Sequence, residues 1–115
     1  MRLRVLSLAL LAAAVALTLA PTAAPRATAT TVAVTAKEFK FVLSKRTVPH
    51  GTVVFKVVNK GKLPHDFKIS GHKTALVAPG KSATLKVTLT TGSKPYLCTV
   101  PGHARLGMKG VLKVT

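Results

Sequence analysis

The chain has 115 residues, with 18 lysine and arginine residues against two acidic residues and a formal net charge of +16. Its length suits one small domain, and so few carboxylates argue against enzymes that work with paired acidic side chains. The single cysteine excludes an intramolecular disulfide, and no nucleic-acid-binding motif is present. The positive charge favours acidic protein partners or anionic membrane surfaces without choosing between them.

The first 29 residues have the form of an export signal followed by a short linker. Arg2 and Arg4 precede an apolar run over residues 5–20, and the Ala-Thr-Ala of residues 27–29 resembles a signal-peptidase site. A cut near residues 20–24 and an uncleaved membrane anchor are the alternatives, although a spanning helix needs roughly 20 apolar residues. We therefore expect an exported protein that is periplasmic, cell-surface or secreted, and membrane-tethered if the leader is uncleaved.

From residue 30 onward the hydrophobic pattern takes a period of two, which is typical of half-buried β-strands. The predicted strands are 31–36, 38–43, 52–58, 65–70, 75–77, 82–90, 94–99 and 110–115. Turn residues separate them, and no helix is predicted. Seven or eight short strands of this kind favour an antiparallel sandwich or barrel, with residues 30–115 as one domain.

Residues 95–110 carry the most specific chemistry of the sequence. Cys98, the only cysteine, is followed five residues later by His103 and five residues after that by Met108. Each has an ordinary interpretation alone: a small buried hydrophobe, a polar loop residue and a core filler. Together, with a second histidine, they form the donor set of a blue copper site, whereas zinc seldom uses a thioether. Coordination also explains how an exported protein keeps a lone thiol from oxidation.

The second histidine is chosen among His50, His65 and His72. His50 and His72 each lie beside a glycine in a polar turn, which favours the surface. His65 opens a predicted strand and can therefore face inward at one end of a sandwich. The pattern favours His65 without excluding the other two.

Three segments together resemble the cupredoxins, the family of type 1 copper proteins. They are residues 58–67 (VNKGKLPHDF), 96–103 (YLCTVPGH) and 107–110 (GMKG). The resemblance covers the chain from about residue 31 onward, and it implies a Greek-key β-sandwich with one copper ion near one end. It implies equatorial ligands His65, Cys98 and His103 and an axial ligand Met108.

The sequence departs from the family pattern after the first histidine, where many members carry asparagine and this chain carries Asp66. We expect Asp66 to accept a hydrogen bond from the hydroxyl or the backbone N–H of Thr99, outside the ligand shell. Its negative charge near the metal should favour Cu(II) and lower the reduction potential. A simple tether between two loops is the alternative role.

The predicted function is one-electron transfer without substrate turnover, by a monomer. An extracytoplasmic copper carrier or storage protein with the same ligands is the alternative, and an adhesive sandwich that binds anionic surfaces is the third. We expect electrons to pass through the edge of His103 to a redox partner with an acidic docking surface. Small or apolar residues around His103 would form the docking patch, with a basic rim at Lys62, Arg105 and Lys109.

Overall fold

The computed structural model describes residues 9–21 and 28–115. Within these ranges the protein is all-β, with nine strands and no helix. The strands are β1 (Thr30–Lys37), β2 (Lys40–Leu43), β3 (Thr47–Val48), β4 (Gly51–Asn59), β5 (Lys68–Ile69), β6 (His72–Lys73), β7 (Ser82–Leu89), β8 (Gly92–Leu97) and β9 (Lys109–Val114).

The strands form two sheets that pack as a Greek-key β-sandwich. One sheet has the order β2-β1-β4-β7 and the other the order β3-β9-β8-β5-β6. Strands β1 and β4 pair in parallel, as do β3 and β9, and the remaining pairs are antiparallel. The expected all-β sandwich is therefore confirmed.

Alternation of side chains builds the core between the sheets. In β4 the inward residues Val53, Phe55 and Val57 are at most 1% exposed, while Lys56 between them faces solvent. Phe67 packs against β4 in this core, with its ring centroid 5.1 Å from the ring centroid of Phe55. Burial of one such aromatic side chain contributes roughly 1.5–3 kcal/mol.

The strand count exceeds the predicted seven or eight because three strands have only two residues each. The predicted strand 65–70 shortens to β5, and residues 75–77 contribute only an isolated bridge between His65 and Val77. Residues 65–67 are all buried in succession. A regular strand sends alternate side chains to opposite faces, so this segment leaves the strand geometry in order to bury His65 and Asp66 together.

Residues 9–21 have no regular secondary structure, and their leucine side chains are exposed. No helix in the described ranges is long and apolar enough to cross a membrane. Arg2 and Arg4 and most of the linker, including Ala27 of the expected cleavage site, lie outside the described residues. The export signal over residues 1–29 stays a prediction.

Asn59, at the end of β4, fixes the segment that carries His65. Its fully buried side-chain amide donates hydrogen bonds to the carbonyl oxygens of Leu63 (2.7 Å) and Val77 (2.8 Å), and its carbonyl oxygen accepts from the Gly61 N–H (2.8 Å). Val77 in turn exchanges two backbone hydrogen bonds with His65 (3.1 and 2.7 Å). The core strand therefore holds the His65 segment in place through a single side chain.

We expect Asn59→Ala to lower the free energy of unfolding by about 2–4 kcal/mol, because it removes three hydrogen bonds of a fully buried side chain. Urea unfolding of the metal-free domain measures this. Thr84→Ala, at an exposed position of β7, is the control and should change the free energy by less than about 0.5 kcal/mol. Equal stability of the two variants would contradict this role of Asn59.

Candidate metal centre

Three donor side chains meet at one end of the sandwich. His65 Nδ1, Cys98 Sγ and His103 Nδ1 lie within 4.8 Å of one another. The two Nδ1 atoms are 3.1 Å apart. The Cys98 Sγ atom lies 4.0 Å from the Nδ1 atom of His65 and 3.7 Å from the Nδ1 atom of His103. All three residues are buried, with exposed fractions of 0%, 1% and 8% respectively. Three predicted residues from two separate segments thus converge on one small volume.

Met108 closes the loop that begins at Cys98. Its side chain is fully buried. Its carbonyl oxygen accepts a hydrogen bond from the Cys98 N–H (3.0 Å), and its own N–H donates to the His103 carbonyl oxygen (3.1 Å). These two bonds draw Cys98, His103 and Met108 into one compact loop, as their spacing in the sequence predicts.

The loop turns back on itself where a glycine permits it. Gly107 has a φ of +117°, and a Cβ atom there would lie 3.2 Å from the Phe39 carbonyl oxygen. A side chain at position 107 would therefore meet both backbone strain and the turn between β1 and β2. Phe39 on that turn packs edge-on against His103, with ring centroids 5.0 Å apart.

Asp66 joins the loop of His65 to the loop of Cys98. Its Oδ1 accepts a hydrogen bond from the Thr99 N–H (2.6 Å), and its Oδ2 accepts one from the Thr99 hydroxyl. Asp66 is 4% exposed. The two Thr99 donors that the sequence analysis named, the backbone N–H and the hydroxyl, therefore both bind this carboxylate.

The surroundings of Cys98 favour the protonated thiol over the thiolate. Burial raises its pKa, and the Asp66 charge acts in the same direction, while the backbone N–H groups of Asp66 and Val100 oppose the shift. A metal ion that binds the thiolate must therefore displace this proton, which makes binding dependent on pH.

Glu38 contacts a donor ring of the site, although the sequence analysis did not identify it. It lies in the turn between β1 and β2, and its Oε1 atom is 3.2 Å from His65 Nε2. The same oxygen accepts hydrogen bonds from the N–H groups of Lys62 (2.7 Å) and Leu63 (2.6 Å). In the sequence, Glu38 stands out only because acidic residues are rare, with two in the whole chain.

The other two histidine candidates lie on the surface. His50 is exposed, and its Nδ1 atom is 3.0 Å from the carbonyl oxygen of Thr115. His72 is exposed in β6. Neither joins the cluster of donors, whereas His65 does.

Comparison with known families agrees with this arrangement. A family model described as a cupredoxin-like domain matches residues 9–113. The protein belongs to this family. No curated protein sequence matches this cupredoxin at a significant level.

Several solved structures share the fold of this cupredoxin. Auracyanin B has 23% identity and a TM-score of 0.68, and the match covers 80% of this chain and 93% of that one. Auracyanin A, described as a "blue" copper protein of the green thermophilic photosynthetic bacterium Chloroflexus aurantiacus, has 21% identity, coverages of 76% and 100%, and a TM-score of 0.64. Reduced rusticyanin has 22% identity, coverages of 79% and 82%, and a TM-score of 0.66.

The Glu38 carboxylate should make stability depend on pH. The backbone N–H groups of Leu63 and Lys62 and the side chain of His65 lower the pKa of Glu38 from 4.5 to about 2, with Leu63 contributing most. Because the folded-state pKa is the lower one, this contribution is fully present above about pH 4.5 and is lost as the pH falls through about 2.

We expect the free energy of unfolding of the metal-free domain to decrease over this window, and to decrease less in Glu38→Gln. Urea unfolding at stepped pH values measures both profiles. Superimposable profiles would show that Glu38 does not contribute in this way.

Proposed function

We propose that this cupredoxin is an exported carrier of single electrons that binds one type 1 copper ion. The ion would be held by Nδ1 of His65 and of His103, by the Cys98 thiolate and by the Met108 thioether. The convergence of two imidazole nitrogens and one sulfur within 4.8 Å carries the proposal. A soft sulfur beside imidazole suits both oxidation states of copper.

The surroundings of the donors favour electron transfer over catalysis. Copper bound there would supply a Cu(I)/Cu(II) couple. The four side chains are buried, and hydrogen bonds through Asn59, Asp66 and Met108 fix the segments that carry them. Such a site holds one geometry while the charge changes, and it offers a substrate no open position. We therefore infer that the protein is not an enzyme.

The outer carboxylate of Asp66 supports this role. It ties the two ligand loops through Thr99 and places a negative charge next to Cys98. That charge should stabilise Cu(II) relative to Cu(I) and so lower the reduction potential.

Electron exchange is proposed to occur at the surface above His103. This ring is 8% exposed, whereas Leu63 and Leu106 nearby in the two ligand loops are 43% and 61% exposed. Lys62 and Arg105 are also exposed on these loops. An apolar patch with a basic rim suits an acidic redox partner, and the monomer suffices for such contact.

The spectrum of the purified domain tests the proposal. After addition of Cu(II), we expect an intense visible thiolate-to-copper band and a type 1 EPR signal, with the band bleached reversibly by ascorbate. His65→Ala and Cys98→Ser should abolish the band, and the matched variant His72→Ala should keep it. A colourless domain would overturn the proposal, and a copper-loaded domain that ignores redox agents would favour the copper carrier or storage role.

Ferricyanide, an anionic one-electron oxidant, tests the docking surface. Its reaction with the reduced domain should slow as ionic strength rises, because salt screens the attraction. Lys62→Glu combined with Arg105→Glu should lower the rate severalfold at low salt. Lys56→Glu combined with Lys86→Glu changes the net charge equally on the outer face of the β1–β4–β7 sheet and should have a smaller effect. Equal effects would place electron exchange elsewhere.

A further inference from the structure

The proposed copper site includes a contact that neither the ligand set nor the family resemblance predicts. Glu38 Oε1 lies 3.2 Å from His65 Nε2, on the side of the ring opposite to the donor atom Nδ1. We infer that Glu38 is a positioning residue of the metal centre, which fixes the tautomer and orientation of His65. This inference rests on the proposed role of His65 as a ligand.

The Glu38 carboxylate is held rigidly enough to act in this way. Its Oε1 atom accepts hydrogen bonds from the N–H groups of Lys62 and Leu63, which belong to the segment that leads into His65. A Cβ atom at Gly61 would lie 2.5 Å from each carboxylate oxygen. Glycine at position 61 therefore leaves the space that the carboxylate occupies, and hydrogen bonds attach Glu38 to the segment that carries His65.

The chemistry of the contact determines where the His65 proton lies. An ionised carboxylate only accepts hydrogen bonds, so the hydrogen between Glu38 and His65 must be on Nε2. In the neutral ring Nδ1 then carries a lone pair, and it faces Cys98 and His103. Carboxylate-to-histidine contacts of this kind orient metal-binding rings and increase their basicity.

Glu38 also adds a negative charge one imidazole ring away from the proposed ion. It is one of only two acidic residues in a chain of net charge +16, and both are at this site. Removal of the charge with retention of the hydrogen-bond acceptor should therefore raise the reduction potential without loss of the site.

Nitrogen-15 NMR of the metal-free, reduced domain at neutral pH tests the tautomer directly. Long-range proton–nitrogen spectra should show a protonated Nε2 and an unprotonated Nδ1 for His65. Glu38→Ala should give a mixture of tautomers, and Glu38→Gln should restore the wild-type pattern because its amide oxygen also accepts. An unchanged pattern in Glu38→Ala would overturn the inference, whether or not copper binds.

Zn(II) competition against a chelator tests the effect on metal binding without oxidising the thiol. Glu38→Ala should weaken the affinity about 10- to 100-fold, the usual cost of losing such an outer contact. Leu43→Ala, at a partly buried position of β2, controls for general loosening of the domain and should leave the affinity within about twofold. Equal losses in both variants would assign Glu38 a merely structural role.

The reduction potential of the copper form separates the effect of the Glu38 charge from the effect of its hydrogen bond. Glu38→Gln should keep the visible band and raise the potential. Thr88→Lys changes the net charge by the same amount at an exposed position on the far end of β7, and it should shift the potential less. Equal shifts would contradict a local effect of Glu38, whereas absence of the band in the wild-type domain would count against the proposed function instead.

Discussion

The centre depends on the attachment of two loops that are distant in sequence. Asp66 follows one donor and Thr99 follows another, and two hydrogen bonds between them hold the loops together. Asn59 secures the first loop to the core strand β4, and backbone bonds of Met108 close the second. These contacts bring the donor residues together, and the fold itself offsets the conformational-entropy cost of ordering them.

The parts of the site that are local in sequence were predictable, and the parts that depend on tertiary contacts were not. Cys98, His103 and Met108 share one short loop, so their spacing alone indicated a metal centre. His65 lies 33 residues before Cys98, and the sequence pattern favoured it only weakly until the family resemblance was added. Glu38 is farther still, and nothing in a turn between two short strands indicates which ring its carboxylate will meet.

The strands also divide into those that local sequence predicts and those that depend on tertiary contacts. Strands with a clear alternation, such as β4 and β7, were predicted to within one or two residues. The two-residue strand β3 is too short to show a hydrophobic period. It is a strand only because it pairs with β9, which is distant in sequence. The segment of His65 was predicted as a strand. It has three consecutive buried side chains, which the alternation of a regular β-strand does not produce. In each case the discrepancy follows from a contact with a remote part of the chain.

The pairing of β9 couples assembly of the site to closure of the sheet that contains it. Met108 directly precedes this strand, which pairs with both β8 and the early strand β3. The parallel pairing of β1 with β4 is similarly long-range. Such a topology has a high contact order, so the donors come together only after strands that are distant in sequence have paired. Capture of a metal ion is thereby restricted to the finished domain, and an ion that binds only this state stabilises it by mass action.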